Sequence, residues 1–252
     1  MPETSAHNPL WCPKPLPDAA VRLVCFPHAG GGPSTFRAWS AALAPTIEVS
    51  VVTLAGRANR AREPFAPSMD DAVAALLDAL ESPGDNRVLA LFGHSLGAIV
   101  AYETAHELTA RGNREVAHLF VSGSRSPNDL DEDRFRPPDD NETLIAEVER
   151  RYGAIPAAVR SEPELLARFL PVLRADLKLL AEYTWSAREP SHIPVTAFAG
   201  THDKAGPPQA ASHWQTTTRG GFAELQLPGD HFFVHSALPR VAGQIRRTLG
   251  VG

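Results

Sequence analysis

The chain has 252 residues, 43 % of them apolar and 21 % charged, the size and make-up of one globular domain with a full core. Its net charge of -5 excludes an overall basic field for nucleic acid or an anionic membrane surface, and no uncharged apolar run nears the ~18 residues that a membrane span needs. Two cysteines, Cys12 and Cys25, give neither a disulfide framework nor metal-site spacing.

Residues 1–18 carry five prolines, no periodicity and no signal-like apolar stretch, and are expected to form an extended arm on a cytoplasmic protein. Short runs, mostly apolar on both faces, follow at Val21–Phe26, Val49–Leu54, Val88–Phe92, Leu119–Ser122, Val195–Ala199 and Phe222–Leu227. They read as buried parallel strands. Helical spacing fills the gaps. Met69–Leu80 has Ser68 as a candidate cap and aspartates in its first turn, and Ala98–Ala110 stops at Gly112. This alternation predicts an α/β fold, a mostly parallel sheet with helices on both faces.

The rhythm breaks over 125–191, where no strand-like run occurs. A helix is expected near Glu142–Tyr152, capped by Asn141 and stopped by Gly153. A longer one is expected over Glu162–Tyr183, started by Ser161-x-x-Glu164 and kinked at Pro171. Leu166, Phe169, Leu170, Leu173, Leu177 and Leu180 make one apolar stripe on it. The expected organisation is therefore an arm over 1–18, a core over 19–124 and 192–252, and a helical lid inserted over 125–191.

Gly93-His94-Ser95-Leu96-Gly97 sits between a strand and a helix, the setting of a nucleophile elbow. The glycines remove side chains from a crowded turn, so Ser95 is the candidate nucleophile; a capping serine in a plain turn is the alternative. One oxyanion N–H is expected from Leu96, and the other from Ala29 in the Pro27–Gly32 loop after an earlier strand. Neither G-x-x-x-x-G-K-[ST] nor G-x-G-x-x-G is present to make that loop a phosphate cradle. The base should follow the last strand, which selects His231, with His235 as competitor. The acid should follow the strand before it, which selects Asp203, with Asp129 as runner-up. No H-E-x-x-H or His/Cys cluster suggests a metal. Such a serine site performs acyl transfer on esters, thioesters or amides alike.

The segments CFPHAGGGPSTFRAW (25–39), LAGRANRAREP (54–64), GHSLGA (93–98) and PGDHFF (228–233), with Asp203, resemble the type II thioesterases associated with polyketide and nonribosomal peptide synthases. The likeness runs from about Trp11 to the C-terminus and departs from the family pattern at Ala55, where proline is expected. It implies an α/β-hydrolase fold and hydrolysis of acyl thioesters from the phosphopantetheine arm of acyl or peptidyl carrier domains, an editing role with no cofactor beyond the arm the substrate brings. Arg57, Arg60 and Arg62 follow the strand Val49–Leu54, on the active-site edge, and are expected to meet the pantetheine phosphate or an acidic carrier helix; a solvated loop with local salt bridges to Glu63 is the other reading. A carboxylesterase or lipase acting on small oxyesters is the alternative function. A fused, cyclising relative is disfavoured by the chain's length, and a monomer suffices.

Overall fold

The computed structural model describes residues 8–251 apart from 83, 131–133, 154 and 156. Seven strands form one sheet: β1 (Leu10–Trp11), β2 (Val21–Phe26), β3 (Ile47–Val52), β4 (Val88–His94), β5 (Val116–Ser122), β6 (Val195–Gly200) and β7 (Phe222–Leu227). Their order is β1-β3-β2-β4-β5-β6-β7, and every pairing is parallel except that of β1 with β3. The strands β2 to β6 are nearly continuous apolar runs because helices cover both faces. Between β2 and β3 lies α1 (Arg37–Leu43); α2 (Met69–Leu80) and α3 (Leu96–Arg111) flank β4. Helices α4 (Asn141–Tyr152), α5 (Ala157–Arg160) and α6 (Pro163–Glu182) separate β5 from β6. Then come α7 (Pro208–Ala211), α8 (Phe233–Ser236) and α9 (Leu238–Leu249).

One buried cluster joins the sheet to α2 and α3 through Leu76, Leu77, Ile99 and Leu108. A second joins it to α1 and α9 through Trp39, Leu43, Val241 and Ile245. The sheet is thus clamped from both sides, and the loops after β2, β4, β6 and β7 leave it at the carboxyl ends of the strands. Among the described residues no helix is long and apolar enough to cross a membrane.

Several expected boundaries shift for physical reasons. Residues 8–18 of the expected extended arm are tied to the sheet: Leu10 and Trp11 pair with Val52 and Val51, and the Leu16 N–H donates to Glu48 Oε2 at 2.7 Å. Residues 1–7 lie outside the described ones. Strand β3 starts at Ile47 and ends at Val52, because Glu48 is accommodated inside it by Arg87 at 2.8 Å. Strand β5 starts at Val116, three residues before the expected Leu119; His118 is buried in it with Nε2 2.9 Å from Thr196 Oγ1.

The cap of α2 is Ser68 as expected, its hydroxyl accepting from the Asp71 N–H at 3.1 Å. Asp140, not Asn141, caps α4, accepting from the Thr143 N–H at 2.7 Å. Helix α6 begins at Pro163 with Glu162 in the cap position and no side-chain capping bond, so Ser161 does not close the expected capping box. The helix runs through Pro171. Leu144, Val148, Ile155, Leu170, Leu173 and Leu177 give the helical insertion a small core of its own.

Candidate active site

Ser95 occupies the turn from β4 into α3 with φ 56° and ψ -121°, a left-handed φ that side-chain-bearing residues rarely adopt. The strain is held from both sides. A Cβ on Gly93 would lie 2.2 Å from the Gly97 carbonyl oxygen, and a Cβ on Gly97 would lie 2.0 Å from the Phe26 carbonyl oxygen. Only glycine lets β2, β4 and α3 close on one another here. The Ser95 N–H donates to the Ser122 carbonyl at 2.8 Å, which anchors the turn to β5. Leu96 is the first residue of α3, so its N–H has no partner within the helix and lies at the positive end of the helix dipole.

His231 lies in the loop after β7, and Asp203 in the turn after β6. The two meet with His231 Nδ1 2.9 Å from Asp203 Oδ2, and both side chains are almost fully buried. The other carboxylate oxygen, Oδ1, accepts the backbone N–H groups of Ala205 and Gly206, each at 2.9 Å. A carboxylate held this way has one oxygen fixed by the main chain and the other presented to the imidazole. Asp129, the runner-up, is engaged elsewhere by Arg125 at 3.2 Å and His213 at 2.7 Å. His235 is exposed beside Phe232. Asp230 turns its carboxylate to the Phe232 N–H at 2.9 Å, away from the neighbouring ring.

Ser95 and His231 line one cavity of about 1260 Å3. One wall is the loop His28–Gly32, including Ala29; the opposite wall is the helical insertion, through Val148, Ile155, Phe169, Leu173, Leu177 and Leu180. Four of the six residues in the expected α6 stripe therefore face the cavity, while Leu170 is buried in the insertion's own core. The turn of the His28–Gly32 loop is closed by the Gly31 N–H on the His28 carbonyl at 2.8 Å, with Gly30 at φ 77°. Glycine at the third position is what such a turn requires.

Residues that sequence reasoning gave no role pack around the imidazole. The ring of Tyr152, from the end of α4, lies 5.2 Å from that of His231; Phe232 lies 5.3 Å and His94 5.0 Å away. Their only sequence signal was adjacency to the motifs, and for Tyr152 there was none. His94 is fully buried with Nδ1 3.1 Å from Ser122 Oγ, and its pKa is pushed well below the ordinary value by burial, then by His231. Burial, reinforced by His231, brings His28 down to about 3. Both rings therefore favour the neutral form beside His231.

Two of the three arginines are already paired within the fold, although Arg57 also lines the cavity. Arg57 and Arg60 are buried and committed within the fold. Arg57 holds Asp176 with Nη1 at 2.6 Å and Nη2 at 2.5 Å, and Arg60 holds Glu63 at 2.5 Å and the Thr53 carbonyl at 3.0 Å. Arg60 thus pairs with Glu63 as the other reading had it, but from a buried position and not from a solvated loop. Arg62 alone of the three is exposed.

Over residues 21–249 the chain matches the thioesterase domain family. The chain belongs to the thioesterase family. Thioesterase PikA5 of Streptomyces venezuelae is 36 % identical to this thioesterase over 231 residues, 92 % of this chain and 82 % of PikA5. Among solved structures, the RedJ thioesterase of the prodiginine biosynthetic pathway in Streptomyces coelicolor is 37 % identical with a TM-score of 0.84, covering 94 % of this chain and 92 % of RedJ. The type II thioesterase BorB from the borrelidin biosynthetic cluster is 28 % identical with a TM-score of 0.87, covering 95 % and 97 %. The fold is accordingly the α/β-hydrolase fold, and the protein is a thioester hydrolase.

The neutral histidines make stability depend on pH. His94, His118 and His28 disfavour protonation when folded, His118 down to about 4 through burial, whereas in the unfolded chain each titrates near 6.5. The unfolded state therefore binds more protons, and stability is lost as pH falls below about 6.5. His118 alone should remove about 1 kcal/mol per pH unit between pH 6 and 5, and His94 adds in the same direction. Urea unfolding across pH 7.5 to 5 measures this, and His118→Gln should flatten the slope by about one proton. A stability flat over that range contradicts it.

Proposed function

We propose that the thioesterase hydrolyses acyl groups from the phosphopantetheine arm of carrier proteins through an acyl-serine, in editing or release during polyketide or nonribosomal peptide assembly. His231, held by the buried Asp203 and lining the same cavity as a serine strained at an elbow, is the observation that supports it most.

Ser95 Oγ attacks the thioester carbonyl carbon while His231 Nε2 takes the hydroxyl proton. Asp203 holds Nδ1–H, so Nε2 carries the free lone pair, and the carboxylate stabilises the imidazolium that forms. The carbonyl oxygen becomes an oxyanion received by the Ala29 and Leu96 N–H groups. Collapse breaks the C–S bond, and His231 returns the proton to the departing thiolate. Because a thiol's reference pKa is about 8.5, this step demands less of the acid than expelling an amine. Water then attacks the acyl-serine with His231 as base, which frees the carboxylic acid and restores Ser95. The apolar wall from α4 and α6 is suited to the acyl chain.

Matched acyl thioesters and oxyesters, on carrier protein and on free pantetheine, test the substrate class. Thioester turnover should exceed that of the matched oxyester at least ~10-fold, with carrier-bound acyl groups preferred, if binding energy from the carrier is used at the reacting centre. Oxyester rates equal to or above thioester rates, with no carrier preference, would instead establish the esterase alternative.

A further inference from the structure

Three segments far apart in the chain meet at one buried carboxylate. Asp176 lies in α6, on the helical insertion, and is 2 % exposed. Its Oδ2 accepts the Gly30 N–H at 2.8 Å and Arg57 Nη1 at 2.6 Å; its Oδ1 accepts Arg57 Nη2 at 2.5 Å. Arg57 Nη1 also donates to the Gly31 carbonyl at 3.0 Å. Two consecutive residues of the oxyanion loop are thus gripped, Gly30 by its N–H and Gly31 by its C=O, which brackets the peptide unit between them. Phe169 and Leu173 of the same helix press on the loop too, since a Cβ on Gly30 would lie 2.8 Å and 3.3 Å from them.

We infer that Asp176 and Arg57 are positioning residues for the reaction, fixing the oxyanion donor Ala29 N–H through its neighbours Gly30 and Gly31, so that the donor is aimed only when the helical insertion is seated. The inference rests on the proposed serine mechanism. Its physical basis is the cost of the arrangement. A buried ion pair does not by itself favour a fold over apolar residues of the same volume. What it does supply is direction: a bidentate guanidinium–carboxylate pair has a fixed plane, and here that plane is bonded to the loop. A preorganised donor acts only if it stands where the oxyanion will form, and displacement by ~1 Å can cost ~100-fold in rate. The carboxylate comes from the insertion and the guanidinium from the loop after β3, so substrate access and oxyanion geometry share one joint.

The test uses the whole protein with Asp176→Asn, Arg57→Lys and the double variant. Asp176→Asn keeps an acceptor for the Gly30 N–H but loses the charge; Arg57→Lys keeps the charge but loses the fork. Each single variant should lower kcat on an acyl-pantetheine thioester ~30- to 100-fold with KM changed less than ~3-fold. An alkyl trifluoromethyl ketone, whose adduct with the serine carries an oxyanion, should bind more weakly by the same factor as kcat. Thioester binding in a Ser95→Ala background should stay unchanged, and the double variant should be no worse than the poorer single one. A structural role alone would move melting temperature and active fraction together and leave the ketone's affinity, per folded molecule, unchanged; that result overturns the inference. So does a rise in KM at constant kcat. Should Asp176→Asn not fold, Arg57→Lys decides by the same readouts. An inactive wild type would instead count against the serine mechanism itself.

Discussion

Asp203→Asn is expected to lower kcat by about 10^4-fold while leaving the fold and KM nearly intact. The reason lies in the oxygen that does not touch the imidazole. Oδ1 accepts two backbone N–H groups, from Ala205 and Gly206, so an amide placed here must turn its own oxygen to them. Its NH2 group then faces His231 Nδ1 in place of Oδ2. An imidazole meeting a donor at Nδ1 accepts there and carries its proton on Nε2, the tautomer that cannot take a proton from Ser95. The flipped amide would restore the bond to Nδ1–H but set its NH2 against two N–H donors, leaving both unsatisfied at ~1–3 kcal/mol each. The wrong tautomer is therefore enforced by the main chain. Ser95→Ala removes the nucleophile and should cost about 10^6-fold in kcat, with the double variant little worse, since the three groups act as one unit. Single-turnover kinetics with thermal melts measure the losses, and imidazole 15N shifts report the tautomer. A kcat for Asp203→Asn within tenfold of wild type would contradict the assigned roles.

What was legible in the sequence were features with a local cause. The elbow showed because its glycines are required within five residues by backbone packing, and Asp203 and His231, which the fold brings to 2.9 Å of each other, followed from chain order once the strands were placed. Strand starts were hidden where a polar residue is buried with a distant partner: Glu48 with Arg87, His118 with Thr196. Nothing near Glu48 or His118 in sequence announces those partners. Strand β1 was hidden because two residues make no pattern. The same limit hid the arginines' partners. Arg57 looks like a free cation until α6 brings Asp176 beside it from 119 residues away. Side chains packed on the imidazole, such as Tyr152, belong to the same class: the fold places them, and no spacing records it.

The elbow's crowding makes the second large prediction. Gly97→Ala should prevent folding or cost about 4 kcal/mol or more, a fall in melting temperature of roughly 10 °C or beyond for a chain this long. The added Cβ would stand 2.0 Å from the Phe26 carbonyl oxygen, 2.5 Å from its carbon and 2.6 Å from the Pro27 carbonyl oxygen, all main-chain atoms at the buried end of β2. No rotamer change relieves a clash between backbone and Cβ, so either α3 or β2 must move. Movement of α3 carries the Leu96 N–H with it, and movement of β2 carries the oxyanion loop, so whatever protein folds should also lose kcat in excess of its lost stability. The contrast is Gly243→Ala in α9, where the nearest heavy atom to a new Cβ is Arg247 Nη1 at 3.5 Å and the backbone is helical. That substitution should stabilise by ~0.5–1 kcal/mol, through a less flexible unfolded chain. Paired melts of the two variants decide the matter: alanine tolerated at 97 would mean that the three backbones are not held in the contact on which the strained serine depends.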